Sequence, residues 1–124
     1  MHSRIGWIGV DLDGTLALTC SNTREIGAPV APMLSRVHDW LDQGLEVRIV
    51  TARVGASGVT LRDGTVDDQC NAERQRALVG AWCVEHVGQS LPITASKDIR
   101  MLELWDDRAV QVVTNAGNRV YANA

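Results

Sequence analysis

Apolar residues in this chain come in short runs that end abruptly in polar ones, and these alternate with stretches of helical period. Ile5 to Val10 is unbroken by charge and stops at Asp11-Leu12-Asp13-Gly14, which predicts a buried parallel-type strand followed by a loop. Residues 17–28 carry Thr, Ser, Asn and Gly and read as an extended loop. Pro29 and Pro32 mark a helix entrance, where a missing N–H does little harm. Val30, Met33, Leu34, Val37 and Leu41 then recur at helical spacing until Gly44. Leu45 to Val50 predicts a second strand, closed by Thr51-Ala52-Arg53. Residues 54–68 are polar and glycine-rich and predict a loop or small hairpin turning at Arg62–Gly64. Asn71 to Val87 predicts a second helix with Leu78, Val79, Trp82 and Cys83 on one side, stopped by Gly88. Leu91–Thr94, Met101–Trp105 and Val110–Thr114 predict three more strands, followed by a polar tail.

Strands alternating with helices predict an α/β class with a parallel sheet. The 124 residues show neither repeat nor linker and read as one domain over 1–124. Aromatics are scarce and Phe is absent, so the core must be aliphatic. A net charge of −3 disfavours a general affinity for nucleic-acid backbones without excluding a local basic patch. Cys20, Cys70 and Cys83 are odd in number and widely spaced, against a disulfide framework or zinc site. Charged residues come too early for a secretory leader, and no apolar stretch would span a bilayer. The expected setting is the cytoplasm.

The candidate chemistry lies at strand ends. Asp11 and Asp13 follow the first strand, Thr51 the second, and Asp106 and Asp107 the fourth, with Lys97 beyond the third. Parallel strands would bring these to one edge of the sheet, where open α/β folds bind ligands. Crowded carboxylates need a cation, and hard oxygen ligands suit Mg²⁺ shared with a phosphate. A lysine charge and a threonine hydroxyl complete a phosphoryl site.

Asp11-Leu12-Asp13-Gly14-Thr15-Leu16 resembles the first motif of the haloacid dehalogenase-like hydrolase superfamily. Val50-Thr51-Ala52-Arg53 resembles the second, Lys97 the third, and Trp105-Asp106-Asp107-Arg108 the fourth, in the same order over residues 5–114. The resemblance implies a Mg²⁺-dependent phosphatase with Asp11 as the nucleophile that forms an aspartyl-phosphate, and Asp13 as acid and base. It implies metal held by Asp11, Asp106, Asp107 and the Asp13 backbone carbonyl, and a phosphoryl group held by Thr51 and Lys97. Arg53 and Arg108 would steer substrate. It further implies a three-layer-like Rossmannoid sheet of about five strands in the order 5-4-1-2-3.

Two departures from that family pattern are visible. Neither 17–28 nor 54–68 is long enough for a separate cap domain, so the expectation is a capless site with at most a flap and a small lobe. Nine positions from Lys97 to Asp106 leave no room for a helix between the third and fourth strands. Both helices should then share one face, leaving the other to the C-terminal tail or a second copy in a homo-oligomer.

The expected substrate is a small phosphorylated metabolite or nucleotide. The alternatives are a macromolecular phosphate, such as a nucleic-acid end or phosphoprotein, or a non-catalytic binding module. A phosphotransferase would use the same residues. Several residues have plainer readings: Lys97 as a surface lysine, Thr51 as a turn cap, Cys20 as a loop residue. His38 and His86 read as surface or packing residues, and Trp40 and Trp82 as helix-to-sheet packing.

Overall fold

The computed structural model describes residues 5–20, 24–55, 59–60, 64, 66–67 and 71–121. In chain order its elements are β1 (Trp7–Asp11), α1 (Ala31–Asp42), β2 (Glu46–Val50), β3 (Val59–Thr60), β4 (Val66–Asp67), α2 (Ala72–His86), β5 (Ile93–Thr94) and β6 (Met101–Trp105). The main sheet is four-stranded and parallel, in the order β5-β2-β1-β6. β3 and β4 pair antiparallel as a separate hairpin, as the glycine-rich stretch predicts. Of its expected turn, Arg62 and Asp63 lie outside the described residues, and Gly64 has φ 88°.

Counted as in the sequence, the observed order is 4-1-2-3, so the expected outermost fifth strand does not form. Residues 111–120 instead fold back on themselves. The Val113 N–H donates to the Asn118 carbonyl at 2.7 Å, and the Val120 N–H to the Gln111 carbonyl at 3.0 Å. Asn115 and Gly117 supply the left-handed positions of that turn, at φ 64° and 79°. Local turn chemistry in Thr114-Asn115-Ala116-Gly117-Asn118 thus overrides the apolar run before it.

The helix boundaries have local causes. α1 begins with proline in its first turn and ends at Gly44, whose φ of 80° suits glycine. There the Leu45 N–H returns to the Trp40 carbonyl at 3.0 Å, and the Gly44 N–H to Leu41 at 3.0 Å. The Asn71 side chain caps α2 by accepting from the Arg74 N–H at 2.9 Å.

Ile8 and Val10 of β1 and Val47 and Ile49 of β2 face the helices. They pack with Met33 and Val37 of α1 and Val79, Trp82 and Cys83 of α2 in one buried cluster. Both helices therefore share one face, and residues 95–100 join β5 to β6 without a helix. His38 ties the two helices by donating from Nε2 to the Val87 carbonyl at 2.9 Å. Trp82 packs onto the sheet as expected. Trp40 pairs edgewise with Trp105 at 5.2 Å, and His86 lies 4.8 Å from the Trp82 ring.

The opposite face is closed beside β1 by a residue the pattern did not single out. Trp7 is 1% exposed. Its ring lies over Gly9, where a Cβ would sit 3.1 Å from Trp7 Cζ3. The Arg48 guanidinium stacks 4.5 Å above the ring, and Trp7 Nε1 donates to Asp98 Oδ1 at 2.9 Å. The tail leaves residues 109–121 exposed, and Leu102 and Leu104 stay partly open beside Trp7. Among the described residues no helix is long and apolar enough to cross a membrane. Cys20 and Cys83 are free, and burial pushes the Cys83 thiol up to about 11.

The two faces should respond differently to truncation. Ile49→Ala, on the fully buried face, should lower unfolding free energy by about 2–5 kcal/mol. Leu104→Ala, on the open face, should lower it by less than about 1 kcal/mol. Urea unfolding followed by circular dichroism measures both, and equal losses would contradict the burial pattern.

Candidate active site

Val10 of β1 stands opposite Trp105 of β6, so the residues that follow, Asp11 and Asp106, leave the sheet side by side. After Asp11 the chain turns sharply. The carbonyl of Leu12 accepts from the N–H groups of Leu16 and Ala17 at 3.0 and 2.8 Å. The side chains of Leu12 and Leu16 are fully buried, so the polar residues between them are held at the surface by apolar anchors on both sides. Gly14 lies between those anchors with φ 87°. A Cβ there would fall 2.6 Å from Asp107 Oδ2, so glycine is needed both for the turn and for the approach of Asp107.

Three carboxylates meet at this rim. One oxygen each of Asp11, Asp106 and Asp107 lies within 4.8 Å of the others. The Thr15 hydroxyl lies between two of them, 3.3 Å from Asp11 Oδ2 and 3.3 Å from Asp107 Oδ1. Asp106 is held by the Arg108 N–H, which donates to its Oδ1 at 2.7 Å. Burial pushes the Asp11 carboxyl up to about 7. A hydrogen bond shared with Asp107 and the negative charges of Asp106 and Asp107 add to this, against a smaller lowering by Thr15.

The donor set fits a hard divalent cation. Mg²⁺ binds oxygens at about 2.0–2.1 Å, so neighbouring ligands sit roughly 3–4 Å apart. The three oxygens, all within 4.8 Å of one another, would have to close to that spacing around an ion. The alternative way to relieve their repulsion is to keep a proton on Asp11.

A cavity of about 710 Å³ opens beside the cluster. Asp11, Asp13, Thr51, Arg53, Asp106 and Arg108 are among the residues that line it. Thr51 is buried at the end of β2, and its hydroxyl accepts from the Arg53 N–H at 3.2 Å. That leaves the hydroxyl proton for an oxygen in the cavity. Asp13 lines the same cavity but is not one of the three clustered carboxylates. Both of its oxygens accept from Arg53, with Nε to Oδ2 at 2.7 Å and Nη2 to Oδ1 at 2.8 Å.

Six of the eight residues expected from the sequence thus line the cavity, and Asp107 joins the carboxylate cluster. Lys97 does not line it: the residue there beyond β5 is Ala95, while Lys97 is exposed in the loop 95–100. Arg53 also differs from expectation, being tied to Asp13 and only 7% exposed. Thr15, Gln75 and the carbonyl of Glu25 were not anticipated. Thr15 stands inside the Asp-Gly-Thr run, which could have flagged it; Gln75 and Glu25 carry no local signal.

No protein-family model, no curated protein and no solved structure matches this chain.

The raised Asp11 group sets a pH dependence. In metal-free protein the folded state holds the Asp11 proton between pH 3.8 and about 7, where an unfolded aspartate has lost it. This contribution to stability is complete below pH 3.8 and lost as pH rises through about 7. A cation binds the ionised form, so Mg²⁺ should raise the melting temperature more at pH 8 than at pH 5.5. Asp11→Asn should abolish that difference in differential scanning fluorimetry. An equal Mg²⁺ effect at both pH values would contradict the assignment.

Proposed function

We propose that the chain is a Mg²⁺-dependent phosphomonoester hydrolase of the haloacid dehalogenase-like type, acting on a small phosphorylated metabolite or nucleotide. The observation that carries this reading is the position of Asp11. It stands at the carboxyl end of a central parallel strand, on the rim of a cavity and against Asp106 and Asp107.

Asp11 attacks phosphorus with a carboxylate oxygen, and the bond from phosphorus to the ester oxygen breaks. Asp13 passes a proton to that leaving oxygen, having taken it from solvent on a carboxylate lone pair that Arg53 does not occupy. A water then attacks the phosphorus of the aspartyl-phosphate and loses its proton to Asp13. The bond from phosphorus to Asp11 breaks, releasing phosphate and restoring both carboxyl groups. Mg²⁺, when bound by Asp11, Asp106 and Asp107, offsets the negative charge of the carboxylates and phosphate. Asp11 attacks only when ionised, and its carboxyl stands at about 7 while Asp106 and Asp107 are uncompensated.

The other groups orient the phosphate. The Thr51 hydroxyl donates to a phosphoryl oxygen from the end of β2. Arg108, on the rim beside Asp106, offers a positive charge to the rest of the substrate. Lys97, which the motif order assigns to the phosphoryl group, stands exposed in the loop 95–100 and off the cavity lining.

The test is phosphate release from an aryl phosphate with and without Mg²⁺. Wild-type protein should turn over only with the metal, and Asp11→Asn should fall to background. Asp13→Asn should lower kcat by roughly 10²–10⁴-fold. Its Mg²⁺ affinity in titration calorimetry should change little, because the Asp13 carboxylate faces Arg53. No Mg²⁺-dependent release from any phosphomonoester in a broad panel would remove the hydrolase reading. Preference for an oligonucleotide end over its mononucleotide would move the substrate to the macromolecular class.

A further inference from the structure

Arg53 has the position of a substrate-steering arginine in the sequence and the surroundings of something else. Its side chain is 8% exposed. Its donors reach Asp13 through two bonds at 2.7 and 2.8 Å, the Glu25 carbonyl at 2.8 Å, and Gln75 Oε1 at 3.0 Å. Gln75 is itself 2% exposed, on the buried side of α2. Arg53's own backbone is held by the Thr51 hydroxyl.

We infer that Arg53 is the positioning residue for Asp13, fixing the acid–base carboxylate relative to Asp11, rather than a residue that binds substrate. The inference rests on the hydrolase reading for what Asp13 does. Geometry carries the rest. A planar guanidinium that meets both oxygens of one carboxylate fixes its direction as well as its distance, which a single bond or a lysine cannot do. Asp13 alone would be free to rotate; in the structure both of its oxygens are held by Arg53. Gln75 and the Glu25 carbonyl hold the guanidinium from behind, so a change in the loop before α1 or in α2 reaches Asp13 through one side chain. A phosphate would have to displace several short bonds to a side chain only 8% exposed to recruit Arg53. Arg108, also on the cavity and exposed, is the better placed cation for that role.

The two roles separate in steady-state kinetics on an aryl phosphate. Removing a substrate contact raises KM, whereas misplacing the acid–base group lowers kcat and spares KM. Arg53→Lys keeps the charge and loses the paired geometry. It should lower kcat on the order of 10²-fold with KM within about twofold of wild type. Arg53→Ala opens a space that fits a guanidinium ion, and millimolar methylguanidinium should restore part of its kcat. Ammonium at the same concentration should not. Because a vacated buried ion pair can unfold a domain, Gln75→Leu provides the second variant. It leaves Arg53 and Asp13 in place without one support, and should lower kcat less than Arg53→Lys at unchanged KM. Circular dichroism establishes that each variant is folded. A rise in KM with kcat preserved in Arg53→Lys would overturn the inference and return Arg53 to the substrate. Loss of Mg²⁺-dependent turnover in the wild type would instead overturn the hydrolase reading beneath it.

Discussion

Parallel pairing of β1 with β6 is the constraint on which the site depends. Neighbouring strands in a sheet lie about 4.8 Å apart, and the register places Val10 across from Trp105. Asp11 and Asp106 are therefore forced together by main-chain hydrogen bonds, whatever their charges prefer. Asp107 is brought in from the same strand end, into space left by the missing side chain of Gly14. The sheet holds this arrangement because its cost is local and its support is not: Ile8 and Val10 lie in the same core as both helices. A rim of like charges on a rigid sheet must be neutralised from outside the chain or by a proton, and Asp11 reports this by its raised value of about 7.

Asp13 stands two residues from Asp11 and lives in different surroundings. Asp11 shares its space with two other carboxylates, while Asp13 is matched by a buried guanidinium of the same chain. The turn after β1 sends the two side chains to different neighbours, and the buried Leu12 between them keeps the turn from rotating. Two identical groups can serve different steps only when their surroundings differ in this way. The protein thus supplies the counter-charge for one carboxylate and, among the described residues, pairs no cation with the other.

The elements with local causes were legible. β1 follows from an apolar run free of charge, β2 and β6 from short apolar stretches interrupted only by Glu46, Arg48 and Glu103, α1 from its spacing and Gly44, and α2 from its spacing, Asn71 and Gly88. The absence of a helix before β6 followed from chain length alone. Val110–Thr114 has strand composition, but the turn residues Asn115 and Gly117 that follow fold it back on itself instead. Nothing in the sequence near Trp7 shows that it lies over Gly9 beneath Arg48. Lys97 was placed at the site by motif order, and the cavity is lined at that point by Ala95.

Type and order of elements, and the sheet edge that carries the aspartates, are written in the sequence because periodicity and turn chemistry act over a few residues. Which partner each polar side chain takes is not. Arg53 reaches back 40 residues to Asp13, Trp7 forward 91 to Asp98, and Thr15 forward 92 to Asp107. Such pairs form only after the sheet has closed those distances. What the Arg53 guanidinium meets was therefore decided by packing, which brings Asp13, the buried Gln75 and the Glu25 carbonyl to the same side chain.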